Sequence, residues 1–160
     1  MIMKTIDERT ISALLDKAWS TSRKRLNFNL HPQGNDPINR FINAGFRGTY
    51  VRPHRHRIGK WELVTILKGS VDILIFTLDG KVEDRFRLSG NDVHVGEISG
   101  GDWHCLVFHA PAAVILEVKP GPYEPELDKE FAGWAPAEGD CAAESFVSWL
   151  ESAKRGDSWR

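Results

Sequence analysis

The sequence has 160 residues, 41% of them apolar and 27% charged, with a formal net charge of −1. These values describe one ordinary globular domain and exclude a disordered or fibrous chain. The two cysteines, Cys105 and Cys141, exclude a disulfide scaffold and a four-cysteine zinc ribbon, and they fit a reducing compartment. No apolar run approaches the roughly 18 residues of a membrane span. Charges interrupt Met1–Thr10, where a signal peptide would carry its apolar stretch. The expectation is a cytoplasmic protein with no membrane partner.

The first element reads as a helix, because Ile11, Leu14, Leu15, Ala18 and Trp19 fall on one amphipathic stripe. Thr5 and Glu8 have the spacing of a capping box, which predicts a start near Ile6. A polar segment at Arg23-Lys24-Arg25 follows, and then a loop of turn formers from His31 to Pro37. From Ile38 to Val118 short Val-, Ile- and Phe-rich runs alternate with turn signals such as Lys68-Gly69-Ser70, Asp79-Gly80, Gly100-Gly101-Asp102 and Ala110-Pro111-Ala112. Asp79-Gly80 predicts a two-residue hairpin between Val71–Leu78 and Lys81–Leu88. Short strands with no helix between them indicate an all-β antiparallel sandwich or barrel. Prolines at 120, 122, 125 and 136 break up the next stretch. Phe146, Trp149, Leu150 and Ala153 then have helical spacing, with Asp140 as the expected N-cap. The division is residues 1–37 as helix and basic loop packed on the barrel, 38–119 as barrel, and 120–160 as tail and short helix, all in one compact domain.

Charge is unevenly spread. Arg23, Lys24, Arg25, Arg40, Arg47, Arg52, Arg55, Arg57 and Lys60 lie between Ser20 and Lys60 against a single acid, Asp36, whereas the segment from Glu117 onward is acidic. The basic cluster either recruits an anion or pairs with the acidic tail. Nucleic acid is not expected, since no binding motif accompanies it.

The chemistry concentrates in Gly48-Thr-Tyr-Val-Arg-Pro-His54-Arg-His56-Arg-Ile-Gly-Lys-Trp-Glu62. In a strand His54 and His56 project to one face about 7 Å apart, close enough to share an ion. Five residues separate His56 from Glu62, enough for a turn that brings the carboxylate to the same point, and imidazole with carboxylate suits a divalent first-row metal. A fourth ligand is available in His104, which opens the alternating run His104-Cys-Leu-Val-Phe108. That parity places Leu106 and Phe108 inward with His104 and turns Cys105 outward. By the same parity Tyr50 and Arg52 share the face of His54, and an inward guanidinium must meet an acid such as Glu117 or an anionic ligand.

Gly48-x5-His54-x-His56-x5-Glu62-x6-Gly69 resembles the first cupin motif, with five residues before the glutamate where three or four are usual. Glu97-Ile-Ser-Gly-Gly-Asp-Trp-His104 resembles the second, with Ser99 in place of the usual proline and Phe108 where asparagine often stands. The resemblance implies a cupin double-stranded β-helix (jelly roll) with an N-terminal helix and a short C-terminal helix. It also implies a metal held by His54, His56, Glu62 and His104. Four stretches, Arg23–His31, Thr49–His56, Glu117–Tyr123 and Asp128–Gly139, are similar to the WbuC family of cupin-fold metalloproteins. That similarity implies a place in bacterial O-antigen and surface-polysaccharide gene clusters, and a homodimer.

The expected function is a divalent-metal cupin (Fe, Mn, Zn or Ni) acting as an isomerase- or epimerase-like enzyme on a small anionic or sugar-like metabolite. The alternatives are a non-catalytic metabolite-binding module whose metal is structural or orients the ligand, and an iron-dependent dioxygenase. Arg52, Arg25 and Arg40 are the candidate substrate-binding residues. Tyr50 and His31 are candidates for proton transfer by position alone.

Overall fold

The computed structural model describes residues 3–109 and 111–159. Its strands are β1 (Arg25–Asn29), β2 (Ile38–Phe46), β3 (His54–Arg55), β4 (Glu62–Lys68), β5 (Ser70–Phe76), β6 (Val82–Ser89), β7 (Val95–Ile98), β8 (Trp103–Phe108), β9 (Ala112–Pro120) and β10 (Glu130–Phe131). Two helices, α1 (Glu8–Trp19) and α2 (Ala143–Ser152), flank them. The strands form two antiparallel five-stranded sheets, β1-β2-β9-β4-β7 and β10-β3-β8-β5-β6. From β2 to β5 the chain changes sheet at every strand, and from β6 to β9 it does so again. That winding is the cupin double-stranded β-helix. No helix among the described residues is long and apolar enough to cross a membrane.

Three apolar clusters make four layers. Val64, Ile66, Ile73, Leu106, Phe108 and Ile115 fill the space between the sheets. Ile11, Leu14 and Ala18 of α1 close the outer face of the first sheet over Ile42, Ala44 and Val114. Phe146 and Leu150 of α2 close the outer face of the second sheet over Leu74, Trp103, Cys105 and Val107. β8 is therefore buried on both faces, and Cys105 faces out of the barrel as expected yet lies under the tail. Burial pushes its thiol pKa up, which leaves it unreactive.

Local chemistry explains the departures from the sequence pattern. The cap of α1 is Asp7, not Thr5: its carboxylate accepts from the Thr10 amide at 2.8 Å, and the helix starts at Glu8. Trp19 closes the stripe but is 56% exposed, its ring against Phe46 and under Lys24. Thr77 N donates to Lys81 O and Gly80 N to Thr77 O, so Leu78-Asp79-Gly80 make a three-residue loop with Gly80 at φ +85°, not a two-residue one. At α2, Asp140 Oδ1 accepts from Ala142 N, one residue before the helix, whose cap is Ala142. Gly69 sits at φ +74°, and a Cβ there would lie 2.3 Å from the Ala112 carbonyl; only glycine fits between β4 and β5. In the turn Ala110-Pro111-Ala112, Ala110 lies outside the described residues. Two strands, β1 and β10, were not anticipated, and both border the cavity described below.

The tail is locked to the barrel by charge. Arg85 donates through Nε to Asp72 (2.6 Å), and its other nitrogens reach the Leu150, Glu151 and Ala153 carbonyls at 2.8, 3.1 and 2.8 Å. One guanidinium thereby satisfies the free carbonyls at the end of α2 and a buried carboxylate. Arg85→Ala frees the α2 carbonyls while Arg87 still holds Asp72, and is expected to cost about 2 kcal/mol of unfolding free energy in urea. A loss below about 1 kcal/mol would show that apolar packing alone holds α2.

Candidate metal centre

Four ligand-type side chains converge inside the barrel. His54 comes from β3, His56 from the segment just after it, Glu62 from the first position of β4, and His104 from β8. One donor atom from each lies within 4.8 Å of all the others, and all four residues are buried. His54 and His104 are direct cross-strand partners, with ring centroids 4.5 Å apart. The turn Arg57–Lys60, closed by Lys60 N donating to Arg57 O, absorbs the long spacing before Glu62 and leaves Ile58 at its tip 91% exposed.

The backbone orients every imidazole. The Nδ1 of His54 meets Arg52 O at 2.9 Å, that of His56 meets Asp128 O at 2.6 Å, and that of His104 meets Asp102 O at 2.9 Å. A carbonyl only accepts, so each Nδ1 carries a hydrogen and each ring turns its Nε2 inward. His56 Nε2 then stands 2.8 Å from Glu62 Oε2, two lone pairs that need a cation or a proton between them. His104 Nε2 is buried without a hydrogen-bond partner, 3.4 Å from the same oxygen. Burial, followed by the neighbouring His104, lowers the His54 pKa well below its ordinary value. Burial opposes ionisation of Glu62, but the rings of His104 and His56 beside it outweigh burial and hold the carboxyl well below the usual range. Neutral imidazoles and an ionised carboxylate are the states a divalent cation requires of its ligands.

A cavity of about 520 Å³ opens beside the cluster, within the range of small-molecule sites. It is lined by His54 and Glu62, by Arg52 and Phe131 on the second sheet's side, and by Asn27, Asn29, Asn39 and Asn43 on the first. β9 adds Glu117 and Lys119, which sequence reading did not propose as site residues, although their two-residue spacing from inward-facing Ile115 was a usable parity signal. Lys119 pairs with Asp128 at 2.9 Å, and both are buried. Glu117 accepts from Asn43 Nδ2 at 2.6 Å. Burial, reinforced by the Glu62 charge, pushes the Glu117 pKa well above its ordinary value.

The other candidates separate. Arg52 lines the cavity but meets neither Glu117 nor any other acid among the described residues: it donates to Ala132 O and Ala135 O and leaves Nε buried and unpartnered. Arg25 lines the rim, bonded to Tyr50 O and paired with Glu138. Arg40 is not among the lining residues and lies 3.7 Å from Asp36. Tyr50 is also outside the cavity, because its hydroxyl donates to Pro136 O and its ring packs on Phe146. His31 is buried and borders the cavity, with its Nδ1 against the Arg40 backbone. Arg23, Arg25, Arg47 and Arg55 pair with Glu138, Glu151 or Glu130 of the tail, so much of the basic cluster is neutralised within the chain.

Residues 6–88 match the family model described as Domain of unknown function (DUF6016). No curated protein matches the chain. Among solved structures it is similar to CapF bound to the inhibitor 3-isopropenyl-tropolone, with 17% identity and a TM-score of 0.59 over 70% of this chain and 32% of that one. CapF from Staphylococcus aureus, a capsular polysaccharide assembling protein, gives 20% and 0.52 over 61% and 27%. The DMSP lyase DddQ from Ruegeria pomeroyi DSS-3 gives 18% and 0.52 over 67% and 51%. The chain therefore spans about a third or less of the CapF chains and half of DddQ. At these identities the likeness is one of fold.

Glu117→Gln tests the electrostatics. An acid with a raised folded pKa costs stability as pH rises above its unfolded value of 4.5, because the unfolded chain releases a proton that the folded chain keeps. The glutamine protein should therefore gain stability over the wild type from pH 4.5 toward neutrality, with no difference at lower pH. The acid limb is common to both, since His54 and Glu62, with lowered pKa values, destabilise the fold as pH falls. A difference in melting temperature that does not vary with pH would contradict the assignment.

Proposed function

The chain belongs to the DUF6016 family, and we propose that it holds one divalent transition metal on His54, His56, Glu62 and His104 and acts as an enzyme on a small anionic or sugar-like metabolite. The observation that carries this reading is the set of three backbone carbonyls on the three Nδ1 atoms, which aims the Nε2 atoms and the Glu62 carboxylate at one buried point. Nothing in apolar packing calls for that arrangement. Nitrogen and oxygen donors select Fe, Mn, Zn or Ni over magnesium or calcium, and such an ion, when bound, polarises a carbonyl or hydroxyl oxygen.

The chain's own residues supply the rest. Arg52 offers a guanidinium with no acidic partner to an anionic group entering the cavity. Glu117, whose burial raises its pKa, is placed in the wall to exchange a proton with a ligand. The apolar side of the cavity, Leu106 and Phe108, keeps water from the back of the site. The surface-polysaccharide context rests on the resemblance to WbuC sequences, to which the CapF likeness adds the fold alone. A homodimer and a cytoplasmic location belong to the same reading.

Elemental analysis of the purified protein beside His54→Ala and His104→Ala is the test. The wild type is expected to carry about one transition-metal ion per chain and each variant, short of one ligand, to retain little or none. A wild type that stays metal-free after reconstitution, or a His104→Ala protein with full metal, would overturn the proposal.

A further inference from the structure

The cavity mouth lies between the two strands that sequence reading missed. β1 forms one lip and β10 the other. On β1, Asn27 and Asn29 pair directly with Asn43 and Phe41 of β2 and so share the face that lines the cavity. Asn27 Nδ2 donates to Asn29 Oδ1 at 2.7 Å, which leaves an amide oxygen and an amide NH₂ free at the rim. Asn43 spends its NH₂ on Glu117 and keeps its oxygen. Behind them Asn39 is only 1% exposed, and neither of its amide atoms has a partner.

Across the mouth, Phe131 pairs with His54 in register and lines the cavity, yet the residue remains 48% exposed. Arg52 packs over the same ring at 5.3 Å. Amide groups are both donors and acceptors, as hydroxyls are, whereas a phosphate site would need donors alone. An aromatic face at the opposite lip takes the C–H surface of a ring.

We propose that the mouth binds a pyranose ring, its C–H face on Phe131, its hydroxyls read by Asn27, Asn29 and Asn43, and a carboxylate substituent turned toward Arg52. The substrate class is thus a sugar acid. The proposal rests on reading the cavity as a small-molecule site and narrows that reading from any anionic metabolite to one chemistry.

Saturation-transfer NMR and competition titration with D-glucuronate, a neutral methyl glucopyranoside, inorganic phosphate and benzoate test it on the full chain. Glucuronate should receive saturation at its ring C–H protons and bind more tightly than the neutral glucoside. Phe131→Ala should weaken glucuronate about tenfold while Phe131→Tyr restores it, and Arg52→Gln should abolish the preference for the acid. Asn27→Ala and Asn43→Ala should weaken both sugars. Failure of both sugars, whether or not phosphate or benzoate binds, would overturn the proposed class. Sugar binding indifferent to Phe131→Ala, in a variant with unchanged melting temperature, would overturn the proposed place. Metal content of the same samples separates the two readings. A metal-loaded protein with Phe131-independent sugar binding sinks this inference alone, whereas a metal-free protein with Phe131-dependent binding sinks the metal proposal alone.

Discussion

Three main-chain carbonyls decide how this barrel works. Each belongs to a different irregular stretch: Arg52 leading into β3, Asp102 between β7 and β8, and Asp128 in the segment before β10. A carbonyl in a regular ladder would already be spent on its neighbouring strand, so an imidazole inside a β-sandwich finds a free one only where the ladder is interrupted. That is why β3 is two residues long and why a turn stands before β8. The same constraint brings the tail into the site. Asp128 holds the His56 ring with its backbone and Lys119 with its carboxylate. Residues 120–132 are thus a wall of the cavity and not an appendage to the barrel.

This explains which parts were legible in the sequence. Period-two alternation gave away β8, because His104, Leu106 and Phe108 face one way and Cys105 the other whatever the rest of the chain does. The His54-x-His56 pair was legible for the same reason. β1 was hidden because its alternation is Arg25, Asn27, Asn29 on the cavity side, polar where a barrel strand is ordinarily apolar. β10 was hidden by length: Glu130–Phe131 is a strand only because β3 lies beside it. Tyr50 shows the limit of parity. It was grouped with His54 by counting twos from Arg52, but the segment before β3 is not a strand, and its hydroxyl turns to Pro136.

The uneven charge along the chain has a structural resolution. Arginines of the first third meet glutamates of the last, Arg25 and Arg23 at Glu138, Arg47 at Glu151 and Arg55 at Glu130. Exposed pairs of this kind contribute little each, but they fix which surface the tail covers. Arg52 stands out against that pattern. It pairs with no acid among the described residues and bonds only to backbone carbonyls.

Unsatisfied polar atoms gather on one side of the interior. Of the seven buried side-chain atoms without a partner among the described residues, four belong to Asn39, Arg52 and His104, which are cavity wall or candidate ligand. Each such atom costs about 1–3 kcal/mol when left unpaired. The apolar half of the interior, from Val64 to Ile115, carries none. A fold that needed only stability would close the polar half in the same way, with leucine at 39 and 52. Keeping amides, a guanidinium and an imidazole nitrogen there costs folding free energy but leaves polar groups already oriented into the cavity, so they need not be ordered if a ligand enters.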